Sequence, residues 1–283
     1  MKPPTKTWLI VNPDSGSYDE KAFDALTQCC GDNDLTLDRV IQFPKDDLPT
    51  AAELDAAGIE MVTIYTGDGT INALVTQLYG WGGSILILPG GTMNLLAHRL
   101  HGYVDVDHIV ARLSRGTVRR ERPHVVRCDA GDALAGLMVG PGTAWNTVRE
   151  AMRHGDIVGI AGGAAEAIGQ STSGSMVKLV EPVSADAEGY PLILMNPEPG
   201  TIRVEAYHAE TVGEYAQQGV ALLKRDFREG PHDDLGQFTD MTLASEDGSP
   251  LQALVDGEPA DLPPRARFSI VPCEVDLIVS ADA

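Results

Sequence analysis

The chain has 283 residues, of which 43% are hydrophobic and 22% are charged, as is usual for a globular protein with a sizeable core. Its 21 Lys and Arg residues against 41 Asp and Glu residues give a net charge of −20, which repels phosphate backbones and argues against nucleic acid as a partner. The 4 cysteines lack zinc or redox spacing and no apolar run could span a membrane, so we expect reduced thiols, a cytoplasmic location and only peripheral membrane contact.

The first 115 residues alternate short apolar runs with amphipathic stretches. We expect strands at 7–11, 35–43, 61–65 and 84–88, and helices at 22–29, 48–57, 69–79, 93–101 and 106–115. Such alternation is typical of βαβ units built around a parallel sheet. The sequence therefore predicts an α/β domain over residues 1–116, with its ligand site at the carboxyl ends of the strands.

The pattern changes after residue 116, where short apolar runs are joined by turns rich in Gly, Pro and Asp. We expect strands at 118–128, 134–139, 176–183, 192–195, 201–207, 238–244, 251–255 and 268–271, and helices at 144–153, 164–168 and 212–224. This pattern predicts a second, antiparallel and β-rich domain over residues 117–283, whose last strand could return to the first domain.

Three glycine-containing turns follow strands of the predicted parallel sheet, with the sequences NPDSG (12–16), TGDGT (66–70) and PGGTMN (89–94). Glycine lets the backbone approach a ligand closely, and the N-terminus of the helix after each turn attracts anions. Neither a P-loop nor a well-placed dinucleotide fingerprint is present in the sequence. The three turns together predict a phosphate-binding site of a different kind.

Asp68 lies between two glycines at the start of a predicted helix. A carboxylate there can simply complement the helix dipole. Beside a phosphate site it can instead hold Mg²⁺, directly or through water, or accept a proton from an attacking hydroxyl. The residues alone leave these alternatives open.

An arginine-rich stretch joins the two predicted domains. It could face phosphates or anionic headgroups, or it could form a strand face of alternating charge. Its members are Arg112, Arg115, Arg119, Arg120, Arg122 and Arg127.

The three turns, followed by LVDGE at 254–258, resemble in order and rough spacing the diacylglycerol kinase catalytic family, which includes bacterial lipid kinases, sphingosine kinases and ceramide kinases. The resemblance implies transfer of the γ-phosphoryl group of ATP to a lipid hydroxyl with Mg²⁺. It also implies that the second domain is a β-sandwich containing most of the lipid pocket.

The resemblance also assigns roles to individual residues. Asp68 matches the aspartate near the substrate hydroxyl, and Asp256 and Glu258 match acids that position the metal or act as base, so the identity of the base stays open. A metal at Asp256, direct or through water, is included in this prediction. The residues expected to line the nucleotide are Asn12, Ser15, Gly16, Thr66, Gly67, Gly69, Thr70, Gly91, Thr92 and Asn94.

Three positions depart from the family pattern. Thr66 replaces a usual glycine, and Ala73 and Leu95 replace frequent acids. The acceptor therefore stays open among diacylglycerol, a sphingoid base and ceramide. The alternatives to a lipid kinase are a soluble NAD kinase and a catalytically silent lipid- or nucleotide-binding regulator. The expected partners are a lipid substrate at the membrane surface and, in a homodimer, a second copy of the chain.

Overall fold

The computed structural model describes residues 6–13, 20–144, 175–182, 189–207 and 232–280. The chain divides into two compact units, Met1–Pro123 with Pro272–Ala283, and His124–Val271. The first is an α/β unit with a mostly parallel sheet and the second is β-rich and antiparallel, which confirms the predicted fold class. The helices predicted at 144–153, 164–168 and 212–224 lie outside the described residues, apart from residue 144.

The first unit is built on one six-stranded sheet with the order β2-β1-β3-β4-β17-β5. Its strands are β1 (Lys6–Val11), β2 (Thr36–Gln42), β3 (Met61–Thr66), β4 (Ser84–Pro89), β5 (Val118–Glu121) and β17 (Asp276–Ser280). Its helices are α1 (Glu20–Asp32), α2 (Ala51–Ala56), α3 (Asp68–Gln77), α4 (Leu95–His101) and α5 (Val106–Ser114). All neighbouring pairs are parallel except β17 with β5.

Continuous apolar runs explain the centre of this sheet. Strands β1, β3 and β4 are buried over nearly their whole length, as expected for parallel strands with helices on both faces. On one face, Leu26 of α1 and Ile109 of α5 pack in a cluster with Leu9 and Val11 of β1. Among the described residues, no helix is both long and apolar enough to cross a membrane.

The boundary between the units lies after Pro123, compared with the boundary expected at residue 116. The run at 118–128 is two strands and not the single predicted one, because proline cannot donate to a sheet ladder. Strand β5 stays in the first sheet, where Arg119 pairs with Val279 of β17.

The second unit has two antiparallel sheets, with orders β12-β11-β10-β8-β14-β15 and β7-β6-β16-β13-β9. The strands of the first are β8 (Leu137–Val139), β10 (Leu192–Glu198), β11 (Thr201–Tyr207), β12 (His232–Phe238), β14 (Leu251–Val255) and β15 (Glu258–Leu262). Those of the second are β6 (His124–Cys128), β7 (Gly131–Ala133), β9 (Val177–Glu181), β13 (Asp240–Ser245) and β16 (Arg265–Pro272).

The two sheets share one apolar core, as in a β-sandwich. Ile193 and Val204 of one sheet belong to the same buried cluster as Leu243 and Phe268 of the other. The strand predicted at 134–139 is shorter in the structure, where β8 begins at Leu137 and residues 134–136 form the connection from β7. The backbone N–H groups of that connection bind a carboxylate instead of a neighbouring strand.

Candidate functional site

The three glycine-containing turns follow the carboxyl ends of three strands that are neighbours in the sheet. In the sheet, β2 lies on one side of β1, and β3 and β4 lie on the other side. The order in which successive strands join the sheet therefore reverses at β1. Ligands of open α/β sheets bind in the crevice at such a switch point. The fold therefore brings the described site residues of the first unit to the edge where a ligand would bind.

The turn after β3 leads directly into α3. Thr66 is fully buried, and its hydroxyl donates to the carbonyl oxygen of Gly67 at 3.2 Å. Gly67 is the N-cap residue of α3 and has no side chain with which to cap this helix end. The backbone N–H groups of the first turn and the positive end of the helix dipole are suited to an anion.

Glycines of the turn after β4 lie directly against the turn after β3. A Cβ atom on Gly91 would lie 2.5 Å from the Cα atom of Gly67, and one on Gly90 would lie 2.5 Å from the carbonyl carbon of Tyr65. Asn94, in the left-handed region with φ 53°, accepts a hydrogen bond through Oδ1 from the N–H of Gly91 at 2.7 Å. These glycines are required because any side chain would force the two turns apart.

Asp68 connects the two turns electrostatically. Its Oδ1 accepts a hydrogen bond from the backbone N–H of Leu96, in the first turn of α4, at 3.3 Å. The N-cap residue of α4, Asn94, makes no side-chain capping bond, so Asp68 supplies a cap from a different helix. This bond fixes the orientation of the Asp68 carboxylate at the strand edge.

The turn after β1 joins the same group of residues. Asn12 Nδ2 donates to Thr70 Oγ1 at 3.4 Å, which links the end of β1 to the first turn of α3. Gly69 also lies in that first turn, and Thr92 is exposed in the turn after β4. Ser15 and Gly16 lie outside the described residues.

Asp256 and Glu258 lie in the second unit, where they differ sharply in exposure. Asp256 is 4% exposed, and its carboxylate accepts hydrogen bonds from the backbone N–H groups of Leu134, Ala135 and Gly136 at 2.8, 2.8 and 3.1 Å. Glu258 is exposed at the start of β15.

The described donors do not fit a metal held by the protein alone. No group of three or more His, Cys, Asp or Glu side chains in the described ranges could hold a metal ion. Both carboxylate oxygens of Asp256 accept hydrogen bonds from backbone N–H groups, which argues against a metal bound directly by this side chain and leaves binding through water as a prediction. Mg²⁺ typically keeps several waters and binds through one or two carboxylates plus substrate phosphates, so it needs no such protein cage.

Three arginines of the arginine-rich stretch contact other residues of the first unit. Arg119 contacts Glu121 at 2.7 Å, and Arg122 contacts Asp276 at 2.8 Å. Arg120 donates to the carbonyl oxygens of Gly82 and Gly83 at 2.8 and 2.7 Å. These contacts favour the strand face of alternating charge over an anion-binding patch.

His101, at the end of α4, makes a contact that sequence reasoning did not find. His101 is 1% exposed, its Nδ1 lies 3.0 Å from Ser280 Oγ, and its Nε2 has no hydrogen-bond partner in the described part of the chain. Burial lowers the pKa of His101 to about 4, and the Arg112 guanidinium acts in the same direction. No sequence signal marks this contact, because Ser280 lies on β17 at the far end of the chain.

The first unit has the switch-point edge of an open α/β sheet, and the second unit is an antiparallel sandwich. Residues 6–123 match the family model for the diacylglycerol kinase catalytic domain, which confirms the resemblance drawn from the motifs. The match covers less than half of the chain, so it is a likeness of this segment to that family. No curated protein matches the chain.

Solved structures share the fold over nearly the whole length. A diacylglycerol kinase from Bacillus anthracis str. Sterne has 15% identity and a TM-score of 0.65, with 97% of each chain covered. A protein from the same strain, provisionally classed as a diacylglycerol kinase, has 14% identity and a TM-score of 0.63, with 99% of this chain and 98% of that chain covered. At this level of identity the comparison establishes the fold.

Proposed function

We propose that the protein is an ATP- and Mg²⁺-dependent lipid kinase that transfers the γ-phosphoryl group to a lipid hydroxyl. The observation that carries this proposal is the convergence of Asn12, Asp68, Thr70, Gly91 and Asn94 at one edge of the sheet, through the contacts of three turns. Phosphoryl transfer depends mainly on positioning and charge stabilisation, which oriented dipoles at such an edge supply.

The residues of the turns would share the work of binding and proton transfer. The first turn of α3 offers its N–H groups to the phosphates, and the absence of side chains at Gly67 and Gly91 lets them approach. The acceptor hydroxyl oxygen would form a bond to the γ-phosphorus while the bond to the β–γ bridging oxygen breaks and ADP leaves. Asp68 would take the proton of the hydroxyl.

Mg²⁺ would arrive with the phosphates of ATP and neutralise part of their charge. We propose Asp68, at the carboxyl end of β3, as the residue that would hold the ion directly or through water. Asp256 is not proposed as its ligand, because three backbone N–H groups occupy its carboxylate.

The proposed acceptor is a diacylglycerol, sphingoid-base or ceramide hydroxyl. Such lipids reside in membranes, so the proposal includes a cytoplasmic protein that meets the membrane surface peripherally. The net charge of −20 continues to disfavour nucleic acid as a partner. The homodimer stays a prediction, which light scattering of the purified chain would test.

Transfer of labelled γ-phosphate tests the proposal. The wild-type chain is incubated with labelled ATP and Mg²⁺ and offered diacylglycerol, sphingosine and ceramide in mixed micelles, with NAD as the soluble alternative. We expect label in one lipid. Label in NAD alone would identify a soluble NAD kinase. Bound ATP without label in any acceptor of this panel would contradict the proposal and favour the silent regulator.

A further inference from the structure

We infer that Asp256 is a positioning residue: it fixes the connection at residues 134–136 to the turn between β14 and β15 and thereby orients Glu258, the acid of this turn that faces solvent. This inference rests on the proposed function only where it expects phosphate transfer to depend on Glu258. The resemblance gave the same alternatives, positioning the metal or acting as base, to both acids of the LVDGE motif. The inference gives the two acids different tasks.

The Asp256–Gly257 dipeptide forms the turn of a tight hairpin. Val255 at the end of β14 pairs with Glu258 at the start of β15, so the loop between them consists of Asp256 and Gly257 alone. Asp256 and Gly257 have φ values of 50° and 90°, the positive φ at both central positions that a type I′ turn requires. Asp-Gly is a preferred dipeptide for this turn, so the backbone alone accounts for part of the motif.

The Asp256 side chain and backbone both hold the connection from β7. The N–H of Leu134 donates to Oδ2 at 2.8 Å, and the N–H groups of Ala135 and Gly136 donate to Oδ1 at 2.8 and 3.1 Å. In the opposite direction, the N–H of Asp256 donates to the carbonyl oxygen of Gly136 at 3.0 Å. The turn and the connection are therefore joined by four hydrogen bonds.

Burial makes these bonds specific for a carboxylate. Asp256 is 4% exposed and Leu134 is 1% exposed, so their polar groups have little access to water. An asparagine of the same size would turn an N–H group toward one of the three donors, and a buried donor without an acceptor is costly. A carboxylate whose two oxygens both accept such bonds is poorly placed to accept a substrate proton or to bind a metal.

The position of the connection explains how it can hold the turn that precedes Glu258. It leads into β8, which lies between β10 and β14 in its sheet. Leu137, the first residue of β8, pairs with both Met195 and Val255. The connection at residues 134–136 therefore holds the end of β14 and the turn after it, and Glu258 is the first residue of β15 after that turn.

Amide exchange and thermal unfolding of Asp256→Asn test the inference, with Asp261→Asn as the matched control. Asp261 lies on the same hairpin, on β15, and is exposed. In the wild-type protein we expect the amides of residues 134–136 to be strongly protected from exchange, although they lie outside a strand. Asp256→Asn should remove this protection and lower Tm by at least about 4 °C, whereas Asp261→Asn should change neither.

Kinetics separate positioning from chemistry. Asp256→Asn should lower kcat while the pH profile of its residual transfer keeps the wild-type shape. Glu258→Gln should lower kcat at least tenfold with an unchanged Tm, and full activity of that variant would overturn the assignment of Glu258. If Asp256→Asn loses transfer while Tm and amide protection remain normal, Asp256 acts on the reactants and the inference is wrong.

The two proposals can fail separately. If Asp256→Asn does not fold, the wild-type exchange measurement still decides, because unprotected amides at residues 134–136 would overturn the inference. If the wild-type chain transfers no phosphate, the proposed function fails, while exchange and Tm still establish or refute the positioning role.

Discussion

Replacing Gly91 by alanine directly tests the contact between the turns after β3 and β4. The added Cβ atom would lie 2.5 Å from Gly67 Cα and 3.3 Å from Asn94 Oδ1. Carbon atoms pack at about 3.5–4.0 Å, so the turns would have to separate by at least about 1 Å. Because the atom that Cβ meets is backbone, it cannot rotate away, and we expect a loss of about 1–3 kcal/mol in the free energy of unfolding.

Chemical unfolding monitored by tryptophan fluorescence measures this loss, and nucleotide titration measures its effect on the site. Gly82→Ala is the matched control, since a Cβ atom there would have nothing within 4 Å. We expect Gly91→Ala to unfold at lower denaturant concentration than the control and to bind ATP more weakly. Equal stability and equal ATP affinity in the two variants would refute the argument that this contact shapes the site.

Two further predictions concern stability alone. Burial lowers the pKa of His101 from 6.5 to about 4, so this residue is neutral in the folded protein near neutral pH. The unfolded chain binds the proton more readily, so the free energy of unfolding should fall by about 3 kcal/mol as the pH falls from 6.5 to 4. Urea unfolding across this range measures the fall, and the same pH dependence in His101→Phe would contradict this origin. Gly31 lies in α1, and a Cβ atom there would have nothing within 4 Å. Gly31→Ala should therefore raise the free energy of unfolding by up to about 1 kcal/mol, and a lower Tm would contradict that expectation.

The sequence predicts the centre of the first unit well, for physical reasons. Buried parallel strands require continuous apolar runs, so β1, β3 and β4 stand out, and the motifs at their ends must lie at one edge of the sheet. The Gly90–Gly91 pair is also visible in the sequence. The reason for it is close contact with Tyr65 and Gly67, which becomes clear only when the register of β3 and β4 is known.

The task of Asp256 could not be predicted in the same way. Its partners are the backbone N–H groups of residues 134–136, and backbone groups carry no sequence signature. The family motif suggested a metal or a base, whereas the structure uses the carboxylate to hold a connection some 120 residues away in the chain. The Asp68–Leu96 bond was missed for the same reason.

The rate of phosphate transfer by Asp68→Asn tests the central claim most directly. Asparagine keeps an oxygen that can accept the Leu96 N–H bond but cannot take a proton, and Asp24→Asn on the exposed face of α1 is the matched control. We predict at least about a hundredfold loss of kcat in Asp68→Asn, with Tm near that of the control. Transfer at a rate near that of the wild type would contradict the account and remove Asp68 from the reaction.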